Sequence, residues 1–140
     1  LTKVADDPVQ LNSAGLAALR QGDAATAVAL FTRAAAADPA SPLLWYNLAN
    51  AHRAAGDAAG EGKALEAALD RDPFFDHALL GRGRLHEEAG EARAALGYYE
   101  RLLAAHDPQA PHGPGFAAGL AMAQAFVANH RDQLARRLDG

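Results

Sequence analysis

Residues 42–73, PLLWYNLANAHRAAGDAAGEGKALEAALDRDP, contain two amphipathic stretches broken once, at Gly56-Asp57, and stopped at Pro73. Glycine accepts the left-handed conformation that closes a helix, and proline cannot continue one, so this stretch reads as a helical hairpin. The punctuation recurs at a constant interval: Gly22-Asp23 lies one period before, Gly90-Glu91 one period after, and Pro39 stands one period ahead of Pro73. Pro108 arrives one position late, which places a single insertion near residues 104–107. A fixed period, here within the 20–50 range of repeat arrays, marks supersecondary units that cannot bury their apolar faces alone and stack to do so.

Around these marks the spacing predicts helices over 8–20, 24–37, 42–54, 58–70, 76–89 and 92–105. Asp7-Pro8 and Ser41-Pro42 read as cap-plus-proline starts, because proline at the first helical position forfeits no hydrogen bond. Ile is absent, and the β-branched residues are only Val4, Val9, Val28, Val127, Thr2, Thr26 and Thr32, so a sheet has almost nothing to build with. Small residues recur at Gly15, Ala49 and Gly83, where paired helices must approach closely. Phe31, Leu65 and Tyr99 recur where a bulky side chain fills the gap. Residues 109–115 carry Pro111, Pro114 and two glycines and read as a short linker. Beyond it a helix over 114–138 places Phe116, Leu120, Ala123, Val127, Leu134 and Leu138 on one stripe, with Phe126 adjoining. That helix is expected to cap the last hairpin.

These residues resemble the tetratricopeptide repeat family over about 8–108. The first repeat matches through Leu11, Ala14, Gly15, Ala18, Gly22, Ala27, Phe31, Ala34 and Pro39. The second offers Trp45, Leu48, Ala49, Gly56, Leu65, Ala68 and Pro73, and the third Leu79, Gly83, Gly90, Ala95, Tyr99 and Leu102. Departures are Glu61 in place of a small residue, His52 and His86 in place of Tyr, and Arg82 in place of an apolar residue. The resemblance implies an all-α domain over 1–140: three helical hairpins (8–39, 42–73, 76–108) stacked as a right-handed superhelix, a linker (109–115) and the capping helix (114–138). The order of elements, with the closing stretch AMAQAFVANHRDQLARRL, is also similar to the N-terminal region of bacterial aspartyl/asparaginyl β-hydroxylase-like proteins. That likeness implies an iron- and 2-oxoglutarate-dependent oxygenase domain beyond Gly140, for which this segment would position substrate. The start at Leu1, without Met or a leader pattern, fits a piece of a longer protein.

Composition narrows the function classes. Thirteen Lys and Arg against 17 Asp and Glu give a formal net charge of −4, which removes the field that draws nucleic acid or anionic lipid. No apolar run approaches the ~20 residues of a membrane span. Zero cysteines exclude disulfides, thiolate zinc sites and cysteine nucleophiles. They do not separate a reducing compartment from a secreted protein without bridges, and a cytoplasmic location is the default expectation.

Catalytic constellations are weak. His86 and Glu88 form a His-x-Glu string, yet on a helix their side chains point about 200° apart and cannot chelate one ion. His52 and His86 share a repeat position and read as packing residues. His106, Asp107 and His112 flank the linker, where a solvated loop is the simpler reading. The only serines are Ser13 and Ser41, the latter a cap, and Gly81-x-Gly83 lacks the preceding strand of a phosphate cradle. No catalytic residue, metal or cofactor is expected, and the segment reads as non-enzymatic.

The family resemblance implies that the first helix of each hairpin lines a concave face. Helical spacing then gathers Asn12, Leu16 and Leu19; Leu43, Tyr46, Asn47, Asn50 and Arg53; and His77, Leu80, Arg84 and Glu87. The peptide-binding candidates are Asn12, Tyr46, Asn47, Asn50, Arg53, His77 and Arg84. Asn bonds an extended backbone in both directions, Tyr offers a ring face, and Arg pairs with carboxylates, so a protein or peptide partner with an acidic residue is expected. Some family members clamp the carboxylate terminus of chaperones with basic and Asn residues. Here only Asn47 fits that clamp; Asn12 and Leu16 stand where Lys and Asn are expected, and His77 and Gly81 replace two basic residues. Self-association through the array edge or the last helix is a third reading.

Overall fold

A computed structural model of the chain describes residues 6–110 and 112–139. Pro111 of the linker, the first five residues and Gly140 lie outside the described residues. Among those described, the elements are all helical: α1 (Pro8–Arg20), α2 (Ala24–Ala37), α3 (Pro42–Ala54), α4 (Ala58–Arg71), α5 (Asp76–Glu88), α6 (Ala92–Ala105) and α7 (Pro114–Asp139). They form two compact units, Leu1–Phe75 with α1 to α4 and Asp76–Gly140 with α5 to α7.

The hairpin turns are three copies of one device. Gly22, Gly56 and Gly90 adopt φ of 76°, 78° and 77°, a left-handed geometry that a side chain would strain. The N–H after each glycine reaches back to the helix just ended, Asp23 to Ala18, Asp57 to His52 and Glu91 to His86, which satisfies carbonyls that would otherwise be orphaned. Asp23 and Asp57 then cap the next helix, accepting from the N–H groups of Thr26 (3.2 Å) and Gly60 (2.9 Å). The Thr26 contacts hold the Asp23 carboxyl below its ordinary range. At the start of α1, Asp7 accepts from the Val9 N–H at 2.9 Å. Ser41 departs from its expected role: it occupies the cap position of α3, but its hydroxyl makes no capping bond. The proline after it still presets the first turn.

In the first unit Phe31 is fully buried against Gly15, where a Cβ would stand 2.6 Å from the ring. Leu65 is likewise buried, with Ala49 at the equivalent small position. The two hairpins join through Leu11, Ala34, Ala35 and Leu44, flanked by Leu30 and Trp45. Glu61, the departure from the small-residue pattern, is buried with its carboxylate 3.2 Å from Arg53 Nη1. This ion pair lets a charged residue occupy a close-packed site.

In the second unit Tyr99 packs on Gly83, where a Cβ would overlap the ring. Its hydroxyl donates to Glu87 Oε1 at 2.8 Å, and burial together with that carboxylate pushes the phenol above its ordinary range. The helix α7 docks on both α5 and α6. It opens with a proline, as α1 and α3 do, and lays Gly119 against Leu80. In the first unit the same contact joins Asn12 to Asn47. Thus α7 sits on α5 as α3 sits on α1, with the connection lengthened in the segment between α6 and α7. The apolar stripe buries Phe116, Ala123 and Val127 but ends there: Leu134 is 49% and Leu138 86% exposed. Hence only the first half of α7 caps the hairpin, because a 26-residue helix outruns the 13 and 14 residues of α5 and α6.

Candidate peptide-binding surface

The surface shared by α1 and α3 grades from apolar to basic. At its N-terminal end Val9 and Leu43 are 72% and 48% exposed. One turn on, Asn47 Nδ2 donates to Asn12 Oδ1 at 2.7 Å, a single bond that ties the two helices in register. Tyr46, beside them, meets Phe75 edge-on with ring centroids 5.7 Å apart. Leu16 and Asn50 follow, both half-buried. The Asn50 amide makes no hydrogen bond within the described residues. It therefore presents a donor and an acceptor to anything lying along the helices.

Arginines close the other end. Arg53 is turned inward, both Glu61 oxygens lying within 3.4 Å of its Nη1. Its charge is thus already met by a buried partner, and its first duty is structural. Arg20, at the last turn of α1, is exposed and has no acidic partner among the described residues. The sequence-based set leaves it out, although the spacing of residues 9, 12, 16 and 20 puts it on the same stripe.

The α5 candidates have different surroundings. His77 Nδ1 lies 2.8 Å from Asp76 Oδ1, and its ring stacks on Phe116 of α7 at 4.4 Å. Leu80 meets Gly119. Arg84 reaches toward Glu88, with Nε 3.9 Å from the carboxylate. His106 and His112 gather on the same Phe116, at 5.6 and 5.1 Å, and His106 Nδ1 lies 3.6 Å from Asp76. Sequence spacing sets His106 and His112 beside the linker and suggests a solvated loop, but the His106 side chain is 7% exposed, because the members of this aromatic nest meet from separate segments. Among the described residues no group of three His, Cys, Asp or Glu side chains is placed to hold a metal ion. No helix among them is long and apolar enough to cross a membrane.

Helical hairpins repeated at a constant period, each turned on a left-handed glycine and two of them locked by an aromatic ring on a glycine, define a helical repeat protein. The sequence matches the tetratricopeptide repeat family over residues 12–74 and 63–114, and the chain belongs to that family. Similar solved structures include the first TPR of Spaghetti (RPAP3) bound to the HSP90 peptide SRMEEVD, at 22% identity, covering 89% of this chain and 98% of that one with TM-score 0.71. The Sgt2 TPR domain from Aspergillus fumigatus matches at 23% identity, 89% and 82% coverage and TM-score 0.71. The Yersinia enterocolitica type III secretion chaperone SycD, in complex with a peptide of the translocator YopD, matches at 13% identity, 89% and 92% coverage and TM-score 0.76. At these identities the likeness shows the fold. No curated protein matches the sequence.

Proposed function

We propose that the chain is a non-catalytic interaction module that binds an extended protein segment along the α1 and α3 surface. The observation that carries this reading is Asn50, a half-buried amide without a partner among the described residues, flanked by the Asn12–Asn47 pair. A peptide backbone crossing the helices exchanges two hydrogen bonds with such an amide. Val9 and Leu43 accept an apolar side chain at one end, and Arg20 pairs with an acidic residue at the other. Neighbours of the same fold, one bound to the HSP90 peptide SRMEEVD and one to a peptide of YopD, support a peptide-binding role.

Selection of a displayed peptide library on the chain, followed by titration of the enriched peptides, tests the reading. Asn50→Ala should weaken binding about tenfold with unchanged helicity, the loss expected of two hydrogen bonds at a partly wet site. Arg20→Ala should weaken only peptides with an acidic residue. Enriched peptides that bind both variants as tightly as the parent would overturn the proposal.

A further inference from the structure

The third hairpin fills a crevice that the second leaves open. Beside the Gly90 turn, the Tyr98 ring of α6 stacks on His86 of α5, with centroids 5.4 Å apart and 11° between planes. The Arg82 guanidinium lies 5.2 Å from the same ring. One repeat earlier the histidine is kept: His52 Nδ1 lies 3.2 Å from Asp57, as His86 Nδ1 lies 3.5 Å from Glu91. The stacked ring is not, and the His52 side chain, 20% exposed, lies against Gly60. Ala64 stands one period before Tyr98, and Leu48 one period before Arg82. The space they leave is an open cavity of about 380 Å³ walled by Trp45, Leu48, His52 and Ala64. Lys63 stands at its rim, exposed and without an acidic partner among the described residues.

We propose that this cavity binds a small aromatic carboxylate. The internal repeat supplies the template for the ring, which takes the place that Tyr98 occupies in the third hairpin, stacked on the imidazole of His52. Trp45 and Leu48 give it an apolar wall. The volume lies within the ~300–1,000 Å³ range of small-ligand sites. Lys63 supplies the cation for the carboxylate. The one acid on the rim, Asp57, is already engaged by His52 and by the Gly60 N–H at 2.9 Å. The site uses none of the residues of the peptide surface, so the two readings stand or fall separately.

Trp45 is the single tryptophan, and its indole N–H, which donates to the Pro39 carbonyl at 2.9 Å, gives one NMR signal at the wall of the cavity. Titration with 4-hydroxyphenylacetate should shift that signal saturably. Neutral p-cresol should bind about fivefold more weakly, and acetate should leave the signal in place. Ala64→Tyr, which restores the ring from within, should abolish the shift, with circular dichroism reporting that the variant is folded. Lys63→Ala, an exposed change that leaves the core intact, should reduce the affinity for the acid to that of p-cresol. The absence of a saturable shift with 4-hydroxyphenylacetate, or unchanged affinity in Lys63→Ala, would overturn the proposal.

Discussion

The outward faces of α3 and α5 arise from the same repeat position and meet different fates. On α3, Tyr46 and Asn50 remain beside a surface continuous with α1, and the lock between the helices is the hydrogen bond from Asn47 to Asn12. On α5, His77 and Leu80 stay half-buried but meet Phe116 and Gly119 of α7. Both units use one docking geometry, in which the next first helix lays its sixth residue on the fifth residue of the helix before. What differs is the chemistry at the contact. An Asn pair leaves polar groups around it that must stay near water or a ligand, whereas glycine on leucine with aromatic rings beside it makes an apolar contact, although the His77 side chain is still 37% exposed. The period therefore sets where helices touch, and the residues at two positions decide whether the touch is a site or a closure.

That contrast can be broken from either side. The largest effect is expected at the α7 contact. Phe116→Ala removes a side chain that is 7% exposed and the centre of the histidine nest, and should cost the second unit about 3–4 kcal/mol in denaturant unfolding. A loss below about 1 kcal/mol would mean that α7 is not held by this contact. The lock behind the α3 surface comes next. Arg53→Ala strands the buried Glu61 carboxylate and should cost about 2–3 kcal/mol, less than the ~3–5 of a fully buried pair because the Arg53 side chain is 35% exposed. Equal stability of Arg53→Ala and the parent would return Arg53 to the role of a ligand-facing cation.

Much of this is legible in the sequence, and the reasons are local. The glycines at 22, 56 and 90, the prolines at 8 and 42 and the small-on-large pairs each act within one hairpin, so the expected helix ends fall within a residue of those observed. What escapes depends on contacts between hairpins or on side-chain direction. Ser41 occupies a capping position without making the bond. The bond from Asn47 to Asn12 joins two hairpins and becomes visible only once the helices are docked. Arg53 belongs to the buried Glu61, which spacing along one helix does not show. On α7, periodicity reports the direction of the stripe and not its extent, so Leu134 and Leu138, expected to be covered, are exposed. The nest of His77, His106 and His112 around Phe116 shows in the sequence only as two histidines beside the linker, and the solvated loop expected there fails for His106, whose side chain is 7% exposed.

Side-chain amide NMR of the labelled chain with a library-selected peptide shows directly whether α1 and α3, rather than the α5 face met by α7, carry the binding surface. The Asn50 amide signal is expected to move most, with Asn12 and Asn47 following, while the backbone signals of His77 and Leu80 stay in place. Shifts centred on His77 and Leu80 with Asn50 unmoved would contradict it.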